Sequence, residues 1–104
     1  MLYIVYQVDK PDAKALREKT RDEHLAYLER NKDILVLGGA LLADEGPARL
    51  GSVLIVNVPS RAAADAFSEN EPFRKAGLFA EVRVTRMRRG QWNPAAAPQS
   101  PEGN

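Results

Sequence analysis

The 104-residue chain contains no cysteine. Disulfides, thiolate chemistry, iron–sulfur clusters and cysteine-ligated zinc are therefore excluded. It has one histidine, and no group of Asp and Glu residues has chelating spacing, so no metal is expected. Fifteen basic residues against fourteen acidic ones leave a net charge of +1, too little to draw the chain to nucleic acid or anionic lipid. No apolar run is long enough to cross a bilayer, so no membrane partner is expected. The N-terminal "MLYIVYQVDK" lacks the basic region and small-residue cleavage site of a secretory signal. A cytoplasmic location is the expectation. No glycine-rich loop precedes a helix as a phosphate cradle requires, and no serine sits in a triad-like context.

What is present suits one globular domain: 44% hydrophobic and 28% charged residues, over a length near the commonest domain size. "LYIVYQV" (residues 2–8) is rich in β-branched and aromatic residues and reads as a strand. Asp12 is a candidate cap for a helix over residues 13–31. "ILVLGGALLA" (34–43) reads as a buried strand, with Gly38-Gly39 marking a bulge or close backbone approach. A turn, "DEGPARLG", leads into a third strand, "SVLIVNV" (52–58). Ser60 caps a short helix reaching about Glu69. "EPFRKAG" is a punctuated connection with Gly77 as its stop, and residues 79–89 alternate as a fourth strand. The domain spans residues 1–92. Residues 93–104, "NPAAAPQSPEGN", have three prolines and no apolar periodicity, and are expected to be a disordered tail.

Strand, helix, strand, strand, helix, strand implies an α+β domain. Right-handed crossovers make it a ferredoxin-like βαββαβ arrangement, a four-stranded antiparallel sheet with both helices on one face. Both parities of the first three strands are apolar, however. A second apolar sheet face of that width calls for a cover, and another copy of the same sheet supplies it: a homodimer with a barrel-like interior.

The one histidine lies in "RDEHL". At about 100° per residue, with Leu16 at zero, Tyr27 falls near 20°, Thr20 near 40°, His24 near 80° and Leu28 near 120°. His24 thus sits inside the apolar arc, pointing toward the sheet, with Arg17 and Arg21 on the same arc. An imidazole so placed needs partners, or it destabilises the fold by about 1–3 kcal/mol. It is either a satisfied core residue or an acid/base, since an unperturbed value near 6.5 suits proton transfer at neutral pH. The basic run "RVTRMRRGQW" splits its arginines between two strand faces and so forms no single patch for nucleic acid. Trp92 is expected to close the core or pocket.

"RDEHLAYLERN", "VLGGALLADEGPARLGSVLIVNVPSRAAADAF" and "NEPFRKAGL", in that order, resemble the YciI-like (YCII-related) family of dimeric α/β-barrel proteins over residues 1–92. The resemblance rests on Arg21, His24 and Leu25, on Gly38, Gly39, Gly46, Pro47, Gly51 and Ser52, and on Glu71, Pro72, Phe73, Ala76, Gly77 and Leu78. It implies a ferredoxin-like subunit that pairs through its sheet. It also implies a site built on His24 and a carboxylate, with Phe73 beside the pocket. A characterised relative eliminates chloride from a muconolactone-type lactone. Where the family usually has Asp before Pro-Phe, this chain has Glu71, whose longer side chain moves the carboxylate by about one bond, and errors of ~1 Å can cost ~10²-fold in rate. Asp44 is a second candidate partner for His24.

The expected function is a small cofactor-free lyase or isomerase acting on a small carboxylated or lactone-type substrate. His24 would be the acid/base, Glu71 or Asp44 would orient it, and Arg21, Arg17 and Phe73 would hold an anionic ligand. No cofactor is expected. The alternative is a non-catalytic dimeric module on the same fold, binding a small ligand or a partner protein.

Overall fold

A run of valines, tyrosines and isoleucine makes Leu2–Asp9 the strand β1, which becomes one of the two inner strands of the sheet. The computed structural model describes residues 1–103. After β1 come helix α1 (Lys14–Arg30), strands β2 (Leu35–Leu42) and β3 (Arg49–Asn57), helix α2 (Arg61–Glu69), a single-turn helix α3 (Pro72–Lys75) and strand β4 (Phe79–Met87). The sheet order is β2-β3-β1-β4 and every pairing is antiparallel. The fold is the expected ferredoxin-like α+β arrangement, with α3 added. Past β4, Pro94–Ala96 forms one 3-10 turn and Ser100 bridges to Gly103.

Strand register separates two faces. Tyr3, Val5 and Gln7 pair with Val56, Leu54 and Ser52 of β3, and all six are buried beneath the helices. Val58, Ala64 and Phe67 complete the core, with Tyr27, Leu28, Val82 and Val84 packed against it. The opposite face carries Leu2, Ile4, Tyr6 and Val8 of β1 beside Val53 and Ile55 of β3, and then Leu37 and Leu41 of β2. Among the described residues none covers it, and Leu37 is 67% exposed.

Four expectations need correction. Asp12 does not cap α1: it takes a left-handed φ of 58°, and Ala13 is the N-cap without a side-chain bond. A short polar side chain tolerates that conformation, which turns the chain between β1 and α1. β2 is not buried, because it lies at the sheet edge and its register slips at Val36, before the glycines. β3 begins three residues earlier than the sequence suggests, with Arg49 paired to Leu42. Trp92 does not close the core; it is 60% exposed, beneath the Arg89 guanidinium at 5.2 Å.

Ser60 does cap α2, its hydroxyl accepting from Ala63 N at 3.1 Å. Gly51 meets β1 so closely that a Cβ there would lie 1.9 Å from the Gln7 carbonyl oxygen. Only glycine allows that approach without moving a backbone. Gly51→Ala is therefore expected to destabilise the domain by about 2–3 kcal/mol, read as a lower urea midpoint at unchanged slope.

Candidate active site

The short segment Glu71–Leu78 is built almost entirely of helix-end signals. Glu71 is the N-cap of α3, its Oε2 accepting from Arg74 N at 3.2 Å, and Pro72 occupies the first helical position, where a missing N–H costs nothing. Gly77, at a φ of 82°, and Leu78 close the turn, with Gly77 N donating to Arg74 O and Leu78 N to Phe73 O. That pair of bonds is a Schellman motif, for which a left-handed residue is required. The result is a rigid turn that buries Phe73 and Leu78.

α1 docks on this turn. His24 meets α3 rather than a strand, correcting the expected direction of its ring. Its Nδ1 lies 2.5 Å from Glu71 Oε1, and the imidazole stacks on Phe73 with centroids 3.9 Å apart and planes 14° off parallel. The His24 side chain keeps 13% of its exposure and that of Glu71 1%. Both Glu71 oxygens are thus engaged, one aiming the histidine and one holding the turn. With the ionised carboxylate accepting at Nδ1, the imidazole proton is fixed there and Nε2 is left with its lone pair.

Two turns before His24 on the same side of α1, Arg17 rests on the same Phe73 ring, its guanidinium 4.8 Å from the centroid. It also grips Asp9, donating from Nη2 to both carboxylate oxygens at 2.8 Å and from Nε at 3.2 Å. The pair is largely shielded from solvent, at 11% and 7% side-chain exposure.

A cavity of about 860 Å³ opens beside these groups, within the range of small-molecule sites. His24, Phe73, Arg17, Arg21 and Leu25 line it from α1 and α3. Asp9, Asp12, Lys14 and Glu18 line the end near the start of α1, and Pro47, Ala48 and Arg49 face them from the β2–β3 hairpin. Of the residues singled out in the sequence, the structure brings together His24, Glu71, Phe73, Arg17 and Arg21. Asp44 is exposed in the hairpin turn and does not line the cavity; Glu71 is the carboxylate at the imidazole. Arg49, Asp9 and the hairpin residues were missed. Asp9, at a strand end eight residues before Arg17, offers a faint signal, whereas Arg49 offers none because hairpin folding alone delivers it. Among the described residues no three His, Cys, Asp or Glu side chains are grouped to hold a metal ion, and no helix is long and apolar enough to cross a membrane.

A split βαβ sheet with helices over one face, and a histidine–carboxylate pair beside a cavity between helix, turn and hairpin, describes a class of small α+β domains. The chain belongs to the YCII-related family, whose domain matches residues 1–88. Protein YciI of Escherichia coli O6:H1 is 34% identical over 91 residues, spanning 81% of this chain and 93% of the relative, and the Shigella flexneri protein matches equally. An uncharacterised Haemophilus influenzae protein is 28% identical over the same length, 81% of this chain and 93% of that protein. Among solved structures, the chain is similar to a 5-chloro-2-hydroxyhydroquinone dehydrochlorinase from Burkholderia phenoliruptrix in complex with 2,5-dihydroxybenzoquinone. The TM-score is 0.81 at 37% identity, covering 86% of this chain and 96% of that one.

Tyr27 couples the site to the core. Its hydroxyl donates to the Phe67 carbonyl at 2.9 Å. Burial, and secondarily the nearby Glu71 charge, raise its pKa, with Arg30 opposing. A folded value above the unfolded one near 10 means that stability from the neutral phenol is full below about pH 10 and lost as pH rises through the folded value. Tyr27→Phe is expected to cost about 1 kcal/mol at pH 7. The gap to the parent protein should narrow above about pH 10, read by denaturant titrations across pH.

Proposed function

We propose that this protein is a cofactor-free acid–base enzyme of the lyase or isomerase type, acting on a small, acidic carbonyl-containing or lactone-type ring compound. The observation that carries the reading is the 2.5 Å contact between His24 Nδ1 and the buried Glu71 carboxylate at the edge of the cavity. The likeness to a dehydrochlorinase supports a reaction in which a proton and a leaving group depart from adjacent carbons.

The chemistry follows from the free nitrogen. Nε2 takes a proton from a carbon α to a carbonyl, and the released electron pair becomes an enolate. That pair then expels an anionic leaving group from the next carbon, or is reprotonated elsewhere on the ring. The imidazolium, stabilised by Glu71, returns the proton to the product or to water. Arg21, lining the same cavity, orients an acidic group of the substrate. Arg17, already bound to Asp9, braces Phe73 and through it the plane of the imidazole.

The reading includes a homodimer. The uncovered face of β1, β2 and β3 is a continuous array of Ile4, Tyr6, Leu37, Leu41, Val53 and Ile55, and the same face of a second copy is its natural complement. Sedimentation should give a dimer for the parent protein and a folded monomer for Ile55→Glu. A monomeric parent would overturn this part of the reading.

For the site, hydroxyquinones and chlorinated hydroquinones are the first substrates to screen. His24→Asn should abolish turnover with the fold intact. In Glu71→Gln the amide oxygen can still accept from Arg74 N, but its NH₂ donates to Nδ1 and moves the imidazole proton to Nε2. A loss of about 10³–10⁴-fold is expected, by analogy with the serine-protease triad, together with a changed tautomer in ¹⁵N spectra. Full turnover in His24→Asn removes the histidine from catalysis and overturns this assignment.

A further inference from the structure

We propose that Arg49 is a second anion-binding group of this cavity, so that the site selects molecules carrying two acidic groups, one held by Arg21 and the other by Arg49. The inference rests on the cavity being a ligand site, but not on its being catalytic.

Four cations line the space: Lys14, Arg17 and Arg21 from α1, and Arg49 from the start of β3. Arg17 has its Nε–Nη2 edge on Asp9 and cannot turn that edge to a ligand without breaking a shielded pair. Among the described residues, Arg21, Arg49 and Lys14 form no ion pair. Asp12 and Glu18 also lie along the wall, near the start of α1. They repel anions there and so disfavour the Lys14 end as the place where an acidic group settles. An ammonium is in any case a hydrated point charge, whereas a guanidinium presents a planar fork that fits a carboxylate or enolate on two oxygens. One carboxylate is satisfied by one such fork and leaves the other guanidinium with water alone. A molecule with two acidic groups engages both, from helix and hairpin together.

Arg49 reaches this position through the hairpin. Gly46, at a φ of 79°, and a register shift between Leu41 and Leu42 set Pro47, Ala48 and Arg49 along the cavity edge. Arg49 itself is exposed and bonded to no other side chain described, so its replacement leaves the fold intact.

Calorimetric titration with maleate, fumarate and crotonate tests the proposal, since the three share a four-carbon skeleton and differ in the number and placing of carboxylates. The parent protein should bind one dicarboxylate about five- to tenfold more tightly than crotonate. Arg49→Gln should remove that preference while changing crotonate affinity by less than about twofold, and Arg21→Gln should weaken all three. Equal binding of all three acids by the parent, or a preference that survives Arg49→Gln, overturns it. A His24 ring that shows no turnover while the dicarboxylate preference persists would sink the enzymatic reading and leave this one standing.

Discussion

The structure depends on one carboxylate serving two elements. Glu71 Oε2 holds the first turn of α3 while Oε1 fixes the His24 imidazole on α1. α1 is a polar helix with only Thr20 buried; Tyr27 and Leu28 pack on the core, and its backbone comes close to α3. A turn of four residues thus joins core packing in setting the position of the long helix and of the cavity beside it. Phe73 completes the joint by offering one ring to both His24 and Arg17. A shorter Asp at position 71 would favour the cap, as Asp does at helix starts generally, and would reach less far toward the imidazole. With Glu the cap contact is 3.2 Å and the histidine contact 2.5 Å.

Much of this was legible in the residues. Strand composition, the Ser60 cap and the alternation of β4 gave the order of elements, and the helical arc placed Thr20, Tyr27, Leu28 and His24 on the inward side of α1. What stayed hidden has physical causes. A single helical turn is shorter than any apolar period, so α3 read as a connection and His24 was assigned to the sheet. Edge and inner strands have the same composition when both sheet faces are apolar, so β2 read as buried. Asp12 looked like a cap because residue type cannot reveal a left-handed backbone. Arg49 was invisible because it reaches the cavity by hairpin geometry, not by spacing.

The two faces of the sheet divide the labour. The inner face, around Val5, Leu54 and Val56, is sealed by helices and supplies the core. On the outer face β4 contributes Glu81, Arg83 and Thr85, with Arg83 donating to Glu81 at 2.6 Å, while β1 to β3 are mainly apolar, with Asn57 at one end. Polar character is thus concentrated at one edge.

The stack of His24 on Phe73 has a stereochemical consequence. A ring pinned at Nδ1 and pressed flat against a buried phenylalanine cannot turn over without opening the α1–α3 joint. A proton collected at Nε2 must then leave from that same nitrogen, within the same small arc. Removal and return would occur on a single side of a planar guest, so an isomerisation run here would be suprafacial, its handedness set by a phenyl ring that never touches the proton.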